Sequence, residues 1–422
     1  MRLYPNGRLA AHILGGASFG REGVHSAEVI GVAGVEKTFD ERLRKPSISV
    51  DPLKLSIDLS VQAAVESVLG SGMSLLNAKG AAAILMNINN GEIISLASLP
   101  DFDPNHRPKL PSAGDPANSP LFNRAIQGVY ELGSTFKIFA IAQALELKIV
   151  SPETMINVSG PLRWGKFKIR DFHNYGSELP VKKVISKSSN IGTARIAQEI
   201  GSIEQQKFLK SLGFFDIVPL EMVEASGGKP LLPKNWSELS TMTISYGHGL
   251  SATPLHLAAA YASIGNGGYK VTPTLQIQEN QKYGDRVISE AVSKQALSML
   301  RSVVTDGTAT MAEVPGYPVA GKTGTADKPS PTGRYYDDKV ITNFAALFPA
   351  GDPKYVLVVT MDEPEDTTGE EARRTAGWTA VPVAAEIITR IAPLLGLRPE
   401  NNQDPLFKVC LLYTSDAADE ED

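Results

Sequence analysis

The chain has 422 residues, 42% hydrophobic and 21% charged, with a net charge of −5. That composition suits a globular protein with one large domain and a smaller companion, and excludes a disordered chain. Charge spread evenly without a basic stripe excludes the footprint of a nucleic-acid binder, and no run of about 18 apolar residues offers a membrane span or a signal peptide.

Residues 1–50 are punctuated by glycine, with "GVAGVEKTFDERL" the most patterned stretch, and read as the remnant of a separate module. The abrupt start, "MRLYPNGRLAAHILGG", implies residues upstream of Met1. A domain over residues 51–400 opens with "LKLSIDLSVQAAVESVLGSG", where a strand-like start passes into an amphipathic helix with Val61, Ala64, Val65 and Val68 on one face. "GAAAILMNI" and "EIISLAS" then flank Asn89-Asn90-Gly91 and predict a hairpin with a type I′ turn, which needs positive φ.

The next stretch, "ELGSTFK" (131–137), runs into the apolar "IFAIAQALELKI". A lysine in the first turn of such a helix is disfavoured by about 0.3–1 kcal/mol at the positive end of the dipole, and burial adds to that. With the helix starting at Ser134, Lys137 lies one turn on and on the same face. A serine hydroxyl becomes a nucleophile when a base takes its proton, and a desolvated lysine can be that base. The alternative is that Ser134 caps the helix and Lys137 snorkels to solvent. Ser226-Gly227-Gly228-Lys229 repeats the Ser-x-x-Lys spacing, but in a glycine-rich loop before Pro230 with no helix to orient it, so it is given no catalytic role.

"ISKSSNIGTARIA" supplies Ser188, a hydroxyl able to relay protons, and Asn190, an amide able to hold a substrate carbonyl; the alternative is a polar helix start. His248 and His256 have no triad or metal-ligand context and read as structural, whereas His173, in "RDFHNYG", is a candidate for the active-site rim. "VAGKTGTAD", "VITNFAALFPA" and "KYVLVVTMDEP" read as three strands, and "TAGWTAVPVAAEIITRIAPLLG" as a closing helix. Lys322, Thr323 and Thr325 of the first of these strands can hold a carboxylate, while Gly324 lets a substrate backbone approach; the alternative is an edge strand guarded by lysine. Strands near both ends of the domain with a mostly helical block between them predict an α+β fold, its sheet built from both ends with helices beside it.

Residues 401–422 read as a disordered tail, and Cys410 to Glu420, "CLLYTSDAADE", as translated sequencing-adapter read-through, so 410–422 are set aside as artefact. Without Cys410 there is no cysteine for disulfides, thiolate catalysis or metal binding, and no cofactor or metal is implied.

Ser-x-x-Lys at Ser134, Ser-x-Asn at Ser188 and Lys-Thr-Gly at Lys322 occur in the chain order of penicillin-binding proteins and class A β-lactamases. Together with "YPNGRLAAHILG", "LSIDLSVQ", "ASLPDFDPN", "NRAIQGVYELGSTFK", "YGHGLSATPLHLAAAYASIGNGG" and "AGKTGTADKP", they make the chain resemble, over about residues 1–400, a class B penicillin-binding protein, most of all the septal peptidoglycan D,D-transpeptidase of alphaproteobacteria. Asn190, where elongation-type relatives usually carry Asp, favours the septal type.

The resemblance implies an α/β/α sandwich with helices on both sheet faces, a helical subdomain and a small N-terminal pedestal. It implies a periplasmic enzyme of the bacterial inner membrane whose transmembrane anchor precedes this chain, with stem peptides, β-lactams and division-complex membrane proteins, including a lipid II polymerase, as partners. Ser134 would attack the penultimate D-Ala carbonyl, Lys137 would be its base, Ser188 the proton relay and Asn190 the donor-positioning amide. The N–H groups of Ser134 and Thr325 would form the oxyanion hole, and Lys322, Thr323 and Thr325 would take the terminal carboxylate. Two other readings stay open: a hydrolase (β-lactamase or D,D-carboxypeptidase) and a non-catalytic β-lactam receptor or scaffold. The Glu-x-x-Leu-Asn element of efficient class A β-lactamases is absent; its nearest look-alike, Glu66 to Gly70, ends in glycine and precedes Ser134.

Overall fold

Asp58 opens the first long helix, α1 (Leu59–Leu75), because its carboxylate accepts from the N–H groups of Ser60 and Val61 at 2.8 and 3.0 Å, which satisfies two orphan donors of the first turn. Val61, Val65 and Val68 are buried as the periodicity predicts, and Ala64 lies half-buried at the margin of the stripe. This computed structural model describes residues 2–21, 27–45, 52–279, 284–330 and 333–400, so the tail expected at 401–422 lies outside the described residues.

The apolar runs become a five-stranded antiparallel sheet: β1 (Gly80–Asn87), β2 (Ile93–Leu99), β3 (Ala320–Pro329), β4 (Tyr335–Phe348) and β5 (Tyr355–Asp362), in the spatial order β3-β4-β5-β1-β2. It is built from both ends of the domain, as expected: β1 pairs with β5 from Gly80↔Asp362 to Asn87↔Tyr355. The hairpin forms, but not with a type I′ turn. Of Asn90 and Gly91 only the glycine has positive φ (+78°), and the loop is longer, with Gly91 N–H donating to Asn87 O at 3.0 Å and Asn87 N–H to Glu92 O at 2.9 Å. The Asn87 and Asn90 side chains accept from the N–H groups of Asn89 and Glu92, so the asparagines hold the longer loop instead of supplying left-handed backbone.

The helical block includes α2 (Lys137–Glu146), α3 (Asn190–Ile200), α4 (Pro254–Gly265) and α5 (Glu290–Asp306), and α6 (Ala380–Leu394) closes the domain. Helices α1 and α6 pack together on one face of the sheet, and α4 and α5 lie on the other. Cover on both faces explains why every residue of β4 from Val340 to Phe348 is buried, a continuous run where one-sided burial would give alternation. The N-terminal residues form a short hairpin (Gly16–Arg21 with Ala27–Ala33) and short helices, and Ala10, Ile13 and Val35 join the same apolar core as the main domain. His12 stacks edge-on against Phe102, its ring centroid 5.3 Å away.

Candidate active site

The segment around Ser134 does not begin as an α-helix. A 3₁₀ turn (Gly133–Phe136) carries the serine, and α2 starts only at Lys137. Lys137 is thus the first residue after the turn that carries Ser134, so one short segment supplies both side chains. Distant chain holds the turn: the Tyr261 hydroxyl, from α4, donates to Thr135 O at 2.8 Å, and Gly133 N–H donates to Gly247 O at 3.2 Å. Behind it Phe136, Phe139 and Tyr261 pack edge to face at centroid distances of 5.4 and 5.5 Å.

Lys137 is 0% exposed, which rules out the snorkelling alternative. Its Nζ donates to Ser188 Oγ at 3.0 Å and to the Ser188 carbonyl. Lys322, also 0% exposed, donates to the same Ser188 Oγ at 3.0 Å and to Thr323 O and Oγ1 at 3.1 and 3.2 Å. One hydroxyl therefore joins two buried amines. Burial first, and then the charge of Lys322, hold the Lys137 amine well below the ordinary lysine range, with Asp171 pulling the other way. Burial lowers Lys322 to about 7. Ser134 is half-buried, and among the described residues its hydroxyl has no hydrogen-bond partner.

Ser188 is held at φ +61°, a left-handed conformation costly for a residue with a Cβ. What supports it is a residue that sequence reasoning passed over. Asp171 accepts from Ser189 Oγ (2.7 Å) and from the N–H groups of Asn190 (2.6 Å) and Ile191 (3.0 Å), while Ser189 caps α3 by accepting from Gly192 N–H at 2.9 Å. The helix-start alternative for this motif thus holds for Ser189, while Ser188 faces the lysines. Asn190 donates one amide proton to Arg170 O at 2.9 Å. No local pattern marks Asp171, which lies in the loop stretch "RDFHNYG". His173, from the same stretch, lines a groove of about 300 Å³ with Arg170, Asp171 and Tyr175.

Lys322, Thr323, Gly324 and Thr325 lie on β3, which is an edge strand as the alternative reading had it, but its lysine is buried and guards nothing from solvent. Thr323 Oγ1 is 2.7 Å from Thr308 Oγ1, and Thr325 Oγ1 accepts from Ala376 N–H at 3.0 Å. A Cβ on Gly324 would sit 2.3 Å from Leu132 O and 2.8 Å from Thr135 Cγ2, so on that face the glycine makes room for the protein's own turn. The glycine brings β3 against the turn that carries Ser134.

The remaining candidates stay outside the cluster. Ser226 donates to Val223 O in a separate 3₁₀ turn, and Lys229 is exposed. His256 serves the cap of α4, its Nδ1 2.7 Å from Thr253 Oγ1 and its Nε2 2.8 Å from Asp216 O, and burial lowers its pKa to about 4. The His248 ring lies tilted against Tyr246. Among the described residues no group of three or more His, Cys, Asp or Glu side chains could hold a metal ion, and no helix is long and apolar enough to cross a membrane.

Residues 81–389 match the family described as penicillin binding protein transpeptidase domain. The chain is 34% identical over 413 residues to a probable peptidoglycan D,D-transpeptidase FtsI of Caulobacter vibrioides, covering 94% of this chain and 67% of the relative. Against the peptidoglycan D,D-transpeptidase FtsI of Escherichia coli K12 it is 30% identical over 422 residues, covering 94% and 68%. Among solved structures, the transpeptidase domain of penicillin-binding protein 3 from Burkholderia pseudomallei matches with a TM-score of 0.72 at 30% identity, over 83% of this chain and 98% of that one. Penicillin-binding protein 3 of Mycobacterium tuberculosis, solved with aztreonam, matches at 0.80 and 26%, over 95% and 91%.

Proposed function

Because the chain belongs to the penicillin-binding protein transpeptidase family, and is a peptidoglycan D,D-transpeptidase of the septal type, we propose a division of labour among its residues. Ser134 is the nucleophile. Its Oγ bonds to the carbonyl carbon of the penultimate D-Ala while Lys137, in its neutral form, takes the Oγ proton. Ser188 Oγ, bonded to Lys137 Nζ, passes a proton to the departing nitrogen as the C–N bond breaks, and the terminal D-Ala leaves as an amine. The acyl-enzyme ester is then attacked by an amine of a neighbouring stem peptide, whose proton returns by the same path.

The N–H groups of Ser134 and Thr325 hold the oxyanion, Asn190 holds the donor backbone, and Lys322 with Thr323 and Thr325 takes the terminal carboxylate, or that of a β-lactam. The observation that carries this reading is the single Ser188 hydroxyl shared by two fully buried lysines. A purely structural site has no use for two desolvated amines on one oxygen. By the same reading the domain works on the periplasmic face of the inner membrane, anchored by a segment upstream of this chain, beside division-complex membrane proteins that include a lipid II polymerase.

The test is covalent labelling with a fluorescent penicillin followed by intact-protein mass. The parent chain takes one penicilloyl group, Ser134→Ala takes none at unchanged melting temperature, and Ser226→Ala labels as the parent does. The adduct persists for many minutes after free penicillin is removed, and D-Ala release from a donor thioester accelerates when an acceptor amine is added. Labelling of Ser134→Ala sinks the nucleophile assignment; loss of the adduct within seconds without acceptor replaces the transferase by a hydrolase.

A further inference from the structure

The site does not end at the three motifs. Beyond the end of α5, Thr308 presents its hydroxyl 2.7 Å from that of Thr323, and no motif reads it from the sequence. The contact extends an unbroken hydrogen-bonded chain: Thr308 Oγ1 to Thr323 Oγ1 (2.7 Å), Thr323 Oγ1 to Lys322 Nζ (3.2 Å), Lys322 Nζ to Ser188 Oγ (3.0 Å) and Ser188 Oγ to Lys137 Nζ (3.0 Å). Its inner end is fully buried and its outer end, Thr308, is exposed. The loop carrying Thr308 is tied to the segment that precedes Ser188, because Lys187 Nζ donates to Asp306 O at 3.0 Å and Lys183 pairs with the Asp306 carboxylate.

We propose that Thr308 is a positioning residue for this transpeptidase site: its hydroxyl is the reversible partner that keeps Thr323 and Lys322 bonded to each other whichever charge Lys322 carries. The inference rests on the function proposed above. A threonine hydroxyl has one proton and two lone pairs. A charged Lys322 can only donate, so it gives a proton to Thr323 Oγ1, and the Thr323 proton must then find an acceptor, which is Thr308 Oγ1. A neutral Lys322 has a lone pair, so the Thr323 proton can turn inward to Nζ while Thr308 donates to Thr323. Thr308 serves both states by rotating one O–H bond.

Removing that hydroxyl harms the two states unequally. With valine at 308 the shape is kept and the hydroxyl acceptor is lost, so beside a charged Lys322 the Thr323 proton has no protein acceptor. The neutral state keeps its bond. The charged form of Lys322 is therefore disfavoured and its pKa falls. The other charged groups that act on this chain, Lys137 from α2, Asp171 from its loop, and Asp306 with Lys183 and Lys187 beside Thr308, are the same in parent and variant.

The experiment measures the second-order rate of acylation by a carboxylate-bearing penicillin across the neutral and alkaline range for the parent, Thr308→Val and Thr308→Ser. In Thr308→Val the alkaline limb moves to lower pH, with a loss of about tenfold at its steepest, the effect of one hydrogen-bonding group left unpaired. Thr308→Ser keeps the parent profile, since the hydroxyl is what matters. The proposal fails if Thr308→Val shows the parent profile, if its loss is the same at every pH, or if Thr308→Ser loses as much. A second measurement is independent of turnover: in Ser134→Ala protein the Lys322 side-chain resonance, assigned by its loss in Lys322→Arg, titrates at lower pH when Thr308 is valine, and an unmoved midpoint overturns the proposal. A parent chain that takes no penicillin at all sinks the transpeptidase reading, and the titration then still decides on Thr308.

Discussion

Each lysine amine lies 3.0 Å from the one Ser188 oxygen, so the two nitrogens are no more than about 6 Å apart. Two full charges at that separation repel by about 3 kcal/mol at an effective dielectric near 20, and burial penalises both. Both effects disfavour charging the two amines at once, and burial together with the Lys322 charge holds Lys137 well below the ordinary lysine range, as a base for the Ser134 proton requires. Lys137→Met keeps the apolar stem and removes the base; penicillin acylation falls by about 10²–10⁴-fold, and a fall of under about tenfold shows a structural lysine instead. Asp171 supports the neighbouring backbone and its charge raises the Lys137 pKa, so Asp171→Asn separates two effects. Loss of the charge lowers the Lys137 pKa further, and the acid limb of acylation shifts to lower pH. Loss of charged acceptance for three hydrogen bonds, each worth about 1.5–3 kcal/mol, lowers the melting temperature. A variant with the parent's acid limb and stability shows that Asp171 does neither.

Among the elements, the contact between β3 and the 3₁₀ turn of Ser134 sets the active-site geometry. Gly324→Ala puts a methyl carbon where Leu132 O and Thr135 already stand, so the strand and turn must part at a cost of about 1–3 kcal/mol. Acylation then falls at least about tenfold while the protein stays folded, because catalytic alignment tolerates less displacement than packing does; an alanine variant acylated at the parent rate refutes this role for the glycine. This contact also marks where the sequence stops being legible. The strands β1, β3, β4 and β5 and the helices α1 and α6 are readable because burial on one or both faces writes itself into apolar runs and periodicity. The motif residues are readable because their types are chemically unusual where they stand, a lysine in an apolar helix start above all. The 3₁₀ turn is not readable, since Tyr261 and Gly247 impose it from far along the chain. Neither is the clasp of Asp171 on Asn190 and Ile191, nor the neighbour of Gly324, because each depends on which distant segment arrives there. The hairpin loop failed for a local reason: Asn-Gly supports more than one turn, and the asparagine side chains selected the longer one.

At the scale of the molecule, two buried histidines tie stability to pH. His12, at the contact of the N-terminal residues with Phe102, and His256, at the head of α4, are each lowered from 6.5 to about 4, chiefly by burial. The unfolded chain binds these protons at higher pH than the folded one, so their contribution to stability is complete above about pH 6.5 and is lost as pH falls toward 4, at about 1.4 kcal/mol per pH unit for each. The melting temperature of the parent falls through that window, and His256→Gln, whose amide can keep both bonds of the ring, falls less steeply; equal slopes refute the assignment. The sheet drawn from both ends of the domain governs how the enzyme comes into being. During synthesis Ser134 emerges long before Lys322 and β3, and β1, paired early with β2, must wait for β5 at the far end of the domain before it gains its second partner. Pairing across such sequence distance is slow, because the intervening chain must be closed into a loop before any contact rewards it. The nascent chain therefore carries its nucleophile unarmed, and reactivity toward peptide or penicillin switches on only when the last strands have arrived.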